Sequence, residues 1–371
     1  PIPVRRHKPE TWLPFQAATY QACIDAGFPE YPDVNHPDYT GVASRVENNL
    51  DGIRMSTSLR YLNPNRHRPN LSVKADTLAT RIVFDDNRAT GVEVESGGKR
   101  TLIEGEEIIL SAGAVASPQL LMLSGVGPRD HLRSLGVSVT HDLPGVGQNM
   151  RDHFSVAALH GVQYGFPQDP YAPRNQICLC YTAKGSSTRN DMLVTPTSFA
   201  TDVPNGGDPM KSVGVALGTS LYLPIGAGEL TLTSADPHAH PCMDFRYLSE
   251  SWDRQRLRQA VRLCIRLLEH PAYNNIITDR ISPTDEDLVS DDALDLWLLQ
   301  NVTTSHHVSG TCKMGPTSDT FAVTDQSLRV HGLQRLRVVD ASIMPNVIRA
   351  NTNATTIMIA ERASDLIKAQ I

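Results

Sequence analysis

Residues 107–128 read EIILSAGAVASPQLLMLSGVGP and combine a short apolar run, small residues and a second apolar run. The short run 107–111, apolar at 108–110, predicts a strand. The small residues 112–114 after it allow another group to approach the backbone closely. Ser117 and Pro118 pair a capping residue with a proline suited to the first helical position, so we expect the helix to begin there. A strand, a glycine turn and a helix N-terminus form a geometry that binds phosphate groups. An ordinary connection between a strand and a helix has the same local pattern.

A second segment of the same kind lies near the C-terminus. Residues 336–340 predict a short strand that ends in the acid Asp340. The asparagine-rich residues 346–353 follow as a loop, and residues 355–367 have the periodicity of a helix. The pattern predicts a second unit of strand, acid, loop and helix.

The remaining pattern predicts helices and antiparallel strands. Apolar residues recur with helical spacing over 10–26 and 253–268. Alternating or short apolar runs between turn residues predict strands at 70–74, 79–84, 91–95, 192–194, 213–217 and 228–233.

Length and composition limit the class of protein. The chain has 371 residues, 40% of them hydrophobic, which corresponds to about two to three domains at roughly 150 residues each. The 34 Lys and Arg against 40 Asp and Glu give a net charge of −6, so a nucleic-acid partner has little electrostatic support. No apolar run approaches the roughly 18 residues of a membrane span, and residues 1–7 are too polar for a signal peptide. The six scattered cysteines indicate free thiols in a reducing compartment, so we expect a cytoplasmic protein.

Residues 306–315, HHVSGTCKMG, hold the densest group of chemically active side chains. A histidine here could act as a base near neutral pH, or both rings could bond the loop backbone in a purely structural role. Zinc is disfavoured because adjacent histidines point apart and no Cys or carboxylate stands at ligand spacing. A serine hydrolase is disfavoured because the chain has no G-x-S-x-G motif.

Residues 113–127 resemble the second signature of the glucose-methanol-choline (GMC) oxidoreductases, a family of flavoproteins that bind FAD. The resemblance continues in order through blocks at 144–149 with Asp152 and His153, 234–237, 307–315, 339–345 and 351–354. It implies a mixed fold, α+β with an α/β part, in which an FAD-binding lobe is joined to a substrate lobe of antiparallel sheet flanked by helices. We expect the FAD lobe at 62–152 and 298–371 and the substrate lobe at 1–61 and 153–297.

The resemblance also implies that something is missing. Family members carry a strand and a G-x-G-x-x-G turn that holds the FAD pyrophosphate. In this chain Gly145 and Gly147 match the first two glycines, but Met150 stands at the third. We therefore expect the chain to be the C-terminal two thirds of such an enzyme with an incomplete FAD lobe, and its partner to be an N-terminal FAD-binding segment or chain.

Site residues are carried over from the family one by one. The resemblance implies that His307 is the catalytic base and that Asn351, which cannot act as a base, hydrogen-bonds the substrate oxygen. His306 stands where relatives carry an aromatic residue and would pack near the flavin ring. The residues expected to contact FAD are Leu78, His306, Asp340, Ala341, Asn351, Thr352, Asn353 and Thr355.

The implied activity is FAD-dependent oxidation of a small alcohol to an aldehyde, with hydride transfer to flavin N5. Residues 301–315 resemble members that oxidise aryl and furfuryl alcohols, which favours a primary, aromatic or heteroaromatic alcohol as the substrate. Two alternatives remain open. One is a hydroxynitrile lyase that keeps FAD without using it for redox chemistry, and the other is an inactive fragment that binds no flavin.

Overall fold

The computed structural model describes residues 2–36, 38–167, 169, 171–200 and 212–370. The chain divides into two compact units whose segments alternate along the sequence. Unit 1 comprises Pro1–Val73, Phe154–Leu223 and Glu250–Ser305. Unit 2 comprises Lys74–His153, Pro224–Ser249 and His306–Ile371.

The α-helices of the described residues are α1 (Pro14–Asp25), α2 (Gly113–Leu123), α3 (Arg129–Ser134), α4 (Ser251–Leu268), α5 (Asp285–Leu288), α6 (Asp291–Asn301) and α7 (Thr352–Lys368). The strands are β1 (Arg5–Arg6), β2 (Gly41–Ser44), β3 (Val46–Glu47), β4 (Asn49–Leu50), β5 (Ile53–Arg54), β6 (Leu78–Asp85), β7 (Arg88–Ser96), β8 (Lys99–Glu104), β9 (Ile108–Leu110), β10 (Val126–Gly127), β11 (His141–Asp142), β12 (Phe154–Val162), β13 (Ile177–Tyr181), β14 (Met192–Ala200), β15 (Gly214–Leu221), β16 (Glu229–Thr231), β17 (Cys242–Asp244), β18 (Ile277–Ser282), β19 (Thr303–Thr304) and β20 (Leu336–Val338).

Unit 1 is built on one antiparallel sheet with helices packed against it. The strands lie in the order β18-β12-β15-β14-β13-β2, and β19 also pairs with β12. Helix α4 contacts β15 and β12, helix α1 contacts β14, and the two helices contact each other. They bury the apolar stripes that the periodicity predicts, including Phe15 and Ala22 on α1 and Leu257, Val261 and Cys264 on α4. The predicted helices and the strands at 192–194 and 213–217 are confirmed.

Unit 2 combines short sheets with helices around its own core. Strands β6-β7-β8 form an antiparallel sheet, while β9 and β20 pair in parallel. Leu121 of α2, Val146 and Val338 of β20 are fully buried in one apolar cluster. Parallel pairing places the carboxyl ends of β9 and β20 at the same edge, and each strand leads there into one of the two motifs predicted to bind the cofactor.

Three local predictions are corrected by the structure. Helix α2 begins at Gly113 and not at Ser117, because Asp340 accepts a hydrogen bond from the Gly113 N–H and thereby caps the helix from a distant part of the chain. Helix α7 begins at Thr352, three residues before the predicted start. Residues 70–74 form no strand, and β8 completes the sheet instead.

The unit boundaries differ from the predicted lobe boundaries at His153, which belongs to unit 2, and in three longer segments. Residues 62–73 and 298–305 belong to unit 1, and residues 224–249 belong to unit 2. The last difference follows from β16, whose Leu230 is buried in the apolar cluster of unit 2. The assignment of the lobes to FAD and substrate stays a prediction.

Candidate active site

The site is organised by a short antiparallel pairing between the residues before β12 and the histidine-rich loop. Arg151 and Ser309 exchange two backbone hydrogen bonds of 2.8 Å. In antiparallel register, the residue two positions after Arg151 lies opposite the residue two positions before Ser309. The pairing therefore places the side chains of His153 and His307 beside each other.

A chain of hydrogen bonds runs through the two imidazole rings. The Nδ1 atoms of His153 and His307 are 2.9 Å apart, and the rings meet edge to face with centroids separated by 4.9 Å. His153 Nε2 lies 2.7 Å from the carbonyl oxygen of Ile348, and His307 Nε2 lies 3.2 Å from Nδ2 of Asn351. His153 is fully buried, His307 is half-buried and Asn351 is exposed, so the chain leads from the interior to the surface.

A buried carboxylate fixes the backbone of the predicted base. Asp152 Oδ1 accepts a hydrogen bond of 2.9 Å from the backbone N–H of His307. Its other oxygen, Oδ2, accepts one of 2.5 Å from the hydroxyl of Tyr247. Charge-assisted bonds of this kind are about twice as strong as neutral ones. Asp152 therefore holds the peptide that carries the His307 ring.

Two glycines allow the loops of the site to approach each other closely. Gly147 has a φ of +82°, and a Cβ there would lie 2.2 Å from the backbone oxygen of Leu230. Gly310 has a φ of +84°, and a Cβ would lie 2.5 Å from the backbone oxygen of Asn149. Side chains are strained at these φ values and have no space there. The partial G-x-G pattern at 145–147 thus has a packing explanation in this structure.

Asp340 joins the two motifs that follow the parallel strands. One carboxylate oxygen accepts hydrogen bonds from the backbone N–H of Gly113 and the hydroxyl of Ser117, and the other accepts one from the N–H of Ser342. The Asp340 side chain is buried. Burial and, to a smaller extent, the charge of Asp340 raise the pKa of the Cys312 thiol above its ordinary value. The hydrogen bonds of Asp340 tie the first turns of α2 to the segment after β20.

The other predicted residues group around the same loops with two exceptions. Residues 310, 312 and 314 donate backbone hydrogen bonds to the carbonyls of Ala341, Ser342 and Ile343, so the His307 loop lies against the Asp340 segment. Asn351 precedes the first residue of α7, Asn353 is exposed on its first turn, and Thr352 is buried.

The exceptions are Leu78 and His306. Leu78 is partly exposed at the start of β6 and pairs with Glu95. His306 is exposed and has a φ of +61°, which turns the chain just before the predicted base. The roles of Leu78 and His306 toward a cofactor stay predictions.

Other kinds of site receive no support from the described residues. Within ranges 2–36, 38–167, 169, 171–200 and 212–370, no group of three His, Cys, Asp or Glu side chains could hold a metal ion. In the same ranges no helix is long and apolar enough to cross a bilayer. A cavity of about 240 Å³ lies in unit 1 between Trp12, Tyr20 and Tyr31, and none of the predicted site residues lines it.

Comparison with known proteins identifies the family. The N-terminal and C-terminal models of the GMC oxidoreductases match residues 1–155 and 224–360. A GMC-type oxidoreductase of Rhodococcus erythropolis is 38% identical over 99% of this chain and 71% of its own length. The chain belongs to the GMC oxidoreductase family. The predicted resemblance is confirmed.

Other relatives of this GMC chain have named activities. An oxygen-dependent choline dehydrogenase of Photobacterium profundum is 34% identical over 94% of this chain and 66% of its own length. The solved structure of pyridoxine 4-oxidase from Mesorbium loti superposes with a TM-score of 0.90 at 26% identity, covering 98% of this chain and 71% of that one. A fungal aryl-alcohol oxidase, at 21% identity and a TM-score of 0.84, has the same fold. The GMC chain spans about two thirds of the length of the curated relatives it matches.

These findings correct one prediction about the GMC chain. Because the N-terminal family model matches residues 1–155, the expectation that the chain lacks the family's N-terminal FAD fingerprint is not confirmed. The same match gives no support to an incomplete FAD lobe or to a separate N-terminal FAD-binding partner.

Sequence reasoning found His307 and Asn351 but missed three residues around them. Asp152 and His153 were recognised as part of a family-like block without a role, and Tyr247 gave no signal. The pair Asp152-His153, directly before a strand and after a glycine turn, is the local feature that could have indicated them. Asp152 and His153 contact His307 through pairing between residues about 150 positions apart, and Tyr247 joins the site through Asp152.

Proposed function

We propose that this GMC chain carries the catalytic residues of an FAD-dependent enzyme that oxidises a primary alcohol to an aldehyde. The observation that carries the proposal is the pair formed by His307 Nε2 and the Asn351 amide, 3.2 Å apart at the exposed end of a buried hydrogen-bond chain. A base and a hydrogen-bond donor at that spacing can both contact one substrate oxygen. Unit 2 would hold the flavin and unit 1 would form the substrate lobe.

The residues present fit the flavin in the way the family resemblance implies. The carboxyl ends of β9 and β20 lie together, and the first-turn N–H groups of α7 start beside the catalytic pair. Helix N-termini stabilise negative charge, which suits the electron-rich edge of a reduced flavin. Asp340 and Ala341 would contact it through the backbone, and Asn353 and Thr355 through the first turn of α7. When bound, FAD supplies the hydride acceptor.

The chain's own residues would handle the proton and the substrate oxygen. His307 Nε2 takes the hydroxyl proton of the alcohol, and the Asn351 amide donates a hydrogen bond to the same oxygen. Asp152 keeps the His307 backbone in place through its contact with the N–H. Removing the hydroxyl proton makes the adjacent carbon a better hydride donor, and bound FAD would supply the acceptor for that hydride.

Relatives suggest the substrate class and the location. Choline and pyridoxine, named in two of the relatives, are both primary alcohols, and pyridoxine is also heteroaromatic. We propose a primary alcohol, with aromatic and heteroaromatic alcohols tested first. All six cysteines, which lie in the described residues, are free, and this supports the proposed cytoplasmic location.

The decisive experiment is His307→Ala. We expect the variant to bind flavin normally, while anaerobic reduction of the flavin by a panel of primary alcohols slows by about 10²–10⁴-fold, the usual contribution of general base catalysis. The matched control is His331→Ala, since the His331 ring contacts the backbone carbonyl of Gly315 and lies in the same unit as His307. Stopped-flow absorbance of the flavin measures both the content and the rate.

Each other outcome points to a different function. Near-normal reduction in His307→Ala would contradict the assignment of the base, and His306→Ala would be tested next. Unchanged flavin colour in the wild type with every alcohol, together with cyanohydrin cleavage, would support the hydroxynitrile lyase. Purified protein without flavin would support the inactive fragment. The comparisons give no support to either alternative.

A further inference from the structure

We propose that His153 is a positioning residue that fixes the tautomer of His307, so that the lone pair of His307 lies at Nε2. The inference deepens the proposed function and rests on it, because the lone pair is what would accept the substrate proton. It follows from the order of donors and acceptors along the chain from Ile348 to Asn351.

The first step is the inner end of the chain. The carbonyl oxygen of Ile348 can only accept a hydrogen bond, so His153 Nε2, 2.7 Å away, must carry a proton. His153 has no exposed surface, and burial disfavours the charged form of an imidazole ring. The neutral ring, with its one proton on Nε2, is therefore the favoured form.

The second step is the contact between the rings. A neutral His153 protonated at Nε2 has a lone pair at Nδ1, so its Nδ1 can only accept. The Nδ1 of His307, 2.9 Å away, must then be the donor. This places the proton of a neutral His307 on Nδ1 and leaves Nε2 without one.

The third step is the outer end, which agrees with the first two. Asn351 Nδ2 is a donor and lies 3.2 Å from His307 Nε2, where a lone pair is required. The opposite proton order would put a charge on the buried His153 and make two N–H groups face each other at Asn351. The three contacts are satisfied together in one direction only.

The same contacts also fix the geometry of the pair. Ile348 and Asn351 lie three residues apart, so the chain from the Ile348 carbonyl through both rings returns to the same loop. The edge-to-face contact between the rings, at an interplanar angle of 80°, holds the His307 ring on one side. His153 thus links the orientation of His307 to the loop that carries Asn351.

Two substitutions separate the tautomer from simple packing. In His153→Asn, the side-chain oxygen can still accept from His307 Nδ1, whereas in His153→Leu nothing can accept there. With the full chain loaded with FAD, we expect His153→Asn to reduce its flavin within about fivefold of the wild-type rate. We expect His153→Leu to be at least about tenfold slower, since a wrong tautomer costs a serine protease about 10⁴-fold. His331→Leu, which removes a histidine-to-carbonyl contact elsewhere in the unit, should leave the rate unchanged.

A spectroscopic measurement tests the tautomer without turnover. In protein labelled with ¹⁵N-histidine, the ring nitrogens of His307 are assigned by comparison with His307→Gln, among 13 histidines in the chain. At neutral pH we expect a protonated Nδ1 and an unprotonated Nε2 for His307 in the wild type and in His153→Asn. In His153→Leu we expect the two tautomers to mix or the order to reverse.

The two measurements fail in different ways. A His307 protonated at Nε2 in the wild type would overturn the inference even if the enzyme oxidises alcohols. A rate in His153→Asn as low as in His153→Leu would also overturn it, because packing alone would then explain the effect. If the spectrum shows the expected tautomer but no alcohol reduces the flavin, the inference about His153 holds and the proposed function fails. If His153→Leu does not fold, the ¹⁵N spectra of the wild type and His153→Asn still show whether His307 carries its proton on Nδ1.

Discussion

Arg256 in unit 1 and His153 in unit 2 are both fully buried polar side chains, yet their networks end in opposite ways. Arg256, on α4, bonds the buried carboxylates of Asp191 and Asp253, and Asp191 in turn accepts from the backbone N–H of Ala183. The three side chains of that network are all buried in unit 1. The network of His153 passes through His307 and ends at the exposed Asn351.

The difference concerns what a buried polar group can do. In unit 1 the charge of Arg256 is balanced where it lies, so the network holds α4 and the loop before β14 together and offers no atom to a ligand. In unit 2 the network runs through two imidazole rings, and on the proposed proton order the outer nitrogen, His307 Nε2, carries the lone pair that can react. A buried polar network therefore contributes to stability in unit 1, whereas in unit 2 it prepares a reactive nitrogen.

The largest expected effect is on the stability of unit 1. Arg256→Leu leaves two buried carboxylates without their counter-charge, so we expect the free energy of unfolding to fall by about 3–5 kcal/mol. Arg262→Leu on the same helix is the matched control, because its pair with Asp291 is exposed and worth about 0–1 kcal/mol. Urea denaturation followed by circular dichroism compares them. Equal losses in both variants would show that the Arg256 network adds nothing specific to stability.

A second prediction concerns His160, a buried histidine of unit 1. Burial and, to a smaller extent, the neighbouring Arg280 lower the pKa of His160, on β12, from 6.5 to about 4. In the unfolded chain His160 is therefore protonated below about pH 6.5, whereas in the folded chain it becomes protonated only near pH 4. The free energy of unfolding should therefore fall as the pH falls from 6.5 to 4, by up to about 1.4 kcal/mol per pH unit. Above about pH 6.5 the contribution of neutral His160 to stability is fully present.

The test is the pH dependence of stability in His160→Phe. We expect the variant to lose less stability than the wild type between pH 6.5 and pH 4, measured by urea denaturation at several pH values. His67→Phe, at an exposed histidine of the same unit, should keep the wild-type slope. If His160→Phe also keeps it, other groups account for the acid sensitivity.

Sequence patterns predicted what short-range periodicity controls. The apolar spacing placed α1 and α4 within a few residues of their observed bounds, and alternation found strands β14 and β15. The family resemblance supplied His307 and Asn351, and the structure places them in contact. Local periodicity and motif order are sufficient for these features because each depends on neighbouring residues.

Features controlled by distant residues were not predictable. Ser117-Pro118 has the pattern of a helix start, but the Ser117 hydroxyl bonds Asp340, and that carboxylate caps the helix four residues earlier. Likewise, the predicted strand at 228–233 is confirmed as β16, but its place in unit 2 depends on the core that buries Leu230. The roles of Asp152 and Tyr247 depend on contacts across 95 residues of chain.

The smallest expected effect separates positioning from stability at a single hydroxyl in each unit. Tyr247→Phe removes the donor to Asp152 Oδ2 while Oδ1 still accepts from the His307 N–H. We expect flavin content to be unchanged and flavin reduction to slow by about tenfold or less, because one charge-assisted bond is lost and the peptide of His307 becomes less firmly held. Tyr273→Phe deletes the same atom in unit 1, where the hydroxyl donates to Thr19. That variant should lose about 1 kcal/mol of stability and none of its reduction rate. Slower flavin reduction in Tyr273→Phe, or unchanged reduction in Tyr247→Phe, would contradict this prediction. In either case the hydroxyl in unit 2 would matter no more to the reaction than the hydroxyl in unit 1. The distinction between a network that only stabilises and one that holds a reactive group would then be lost.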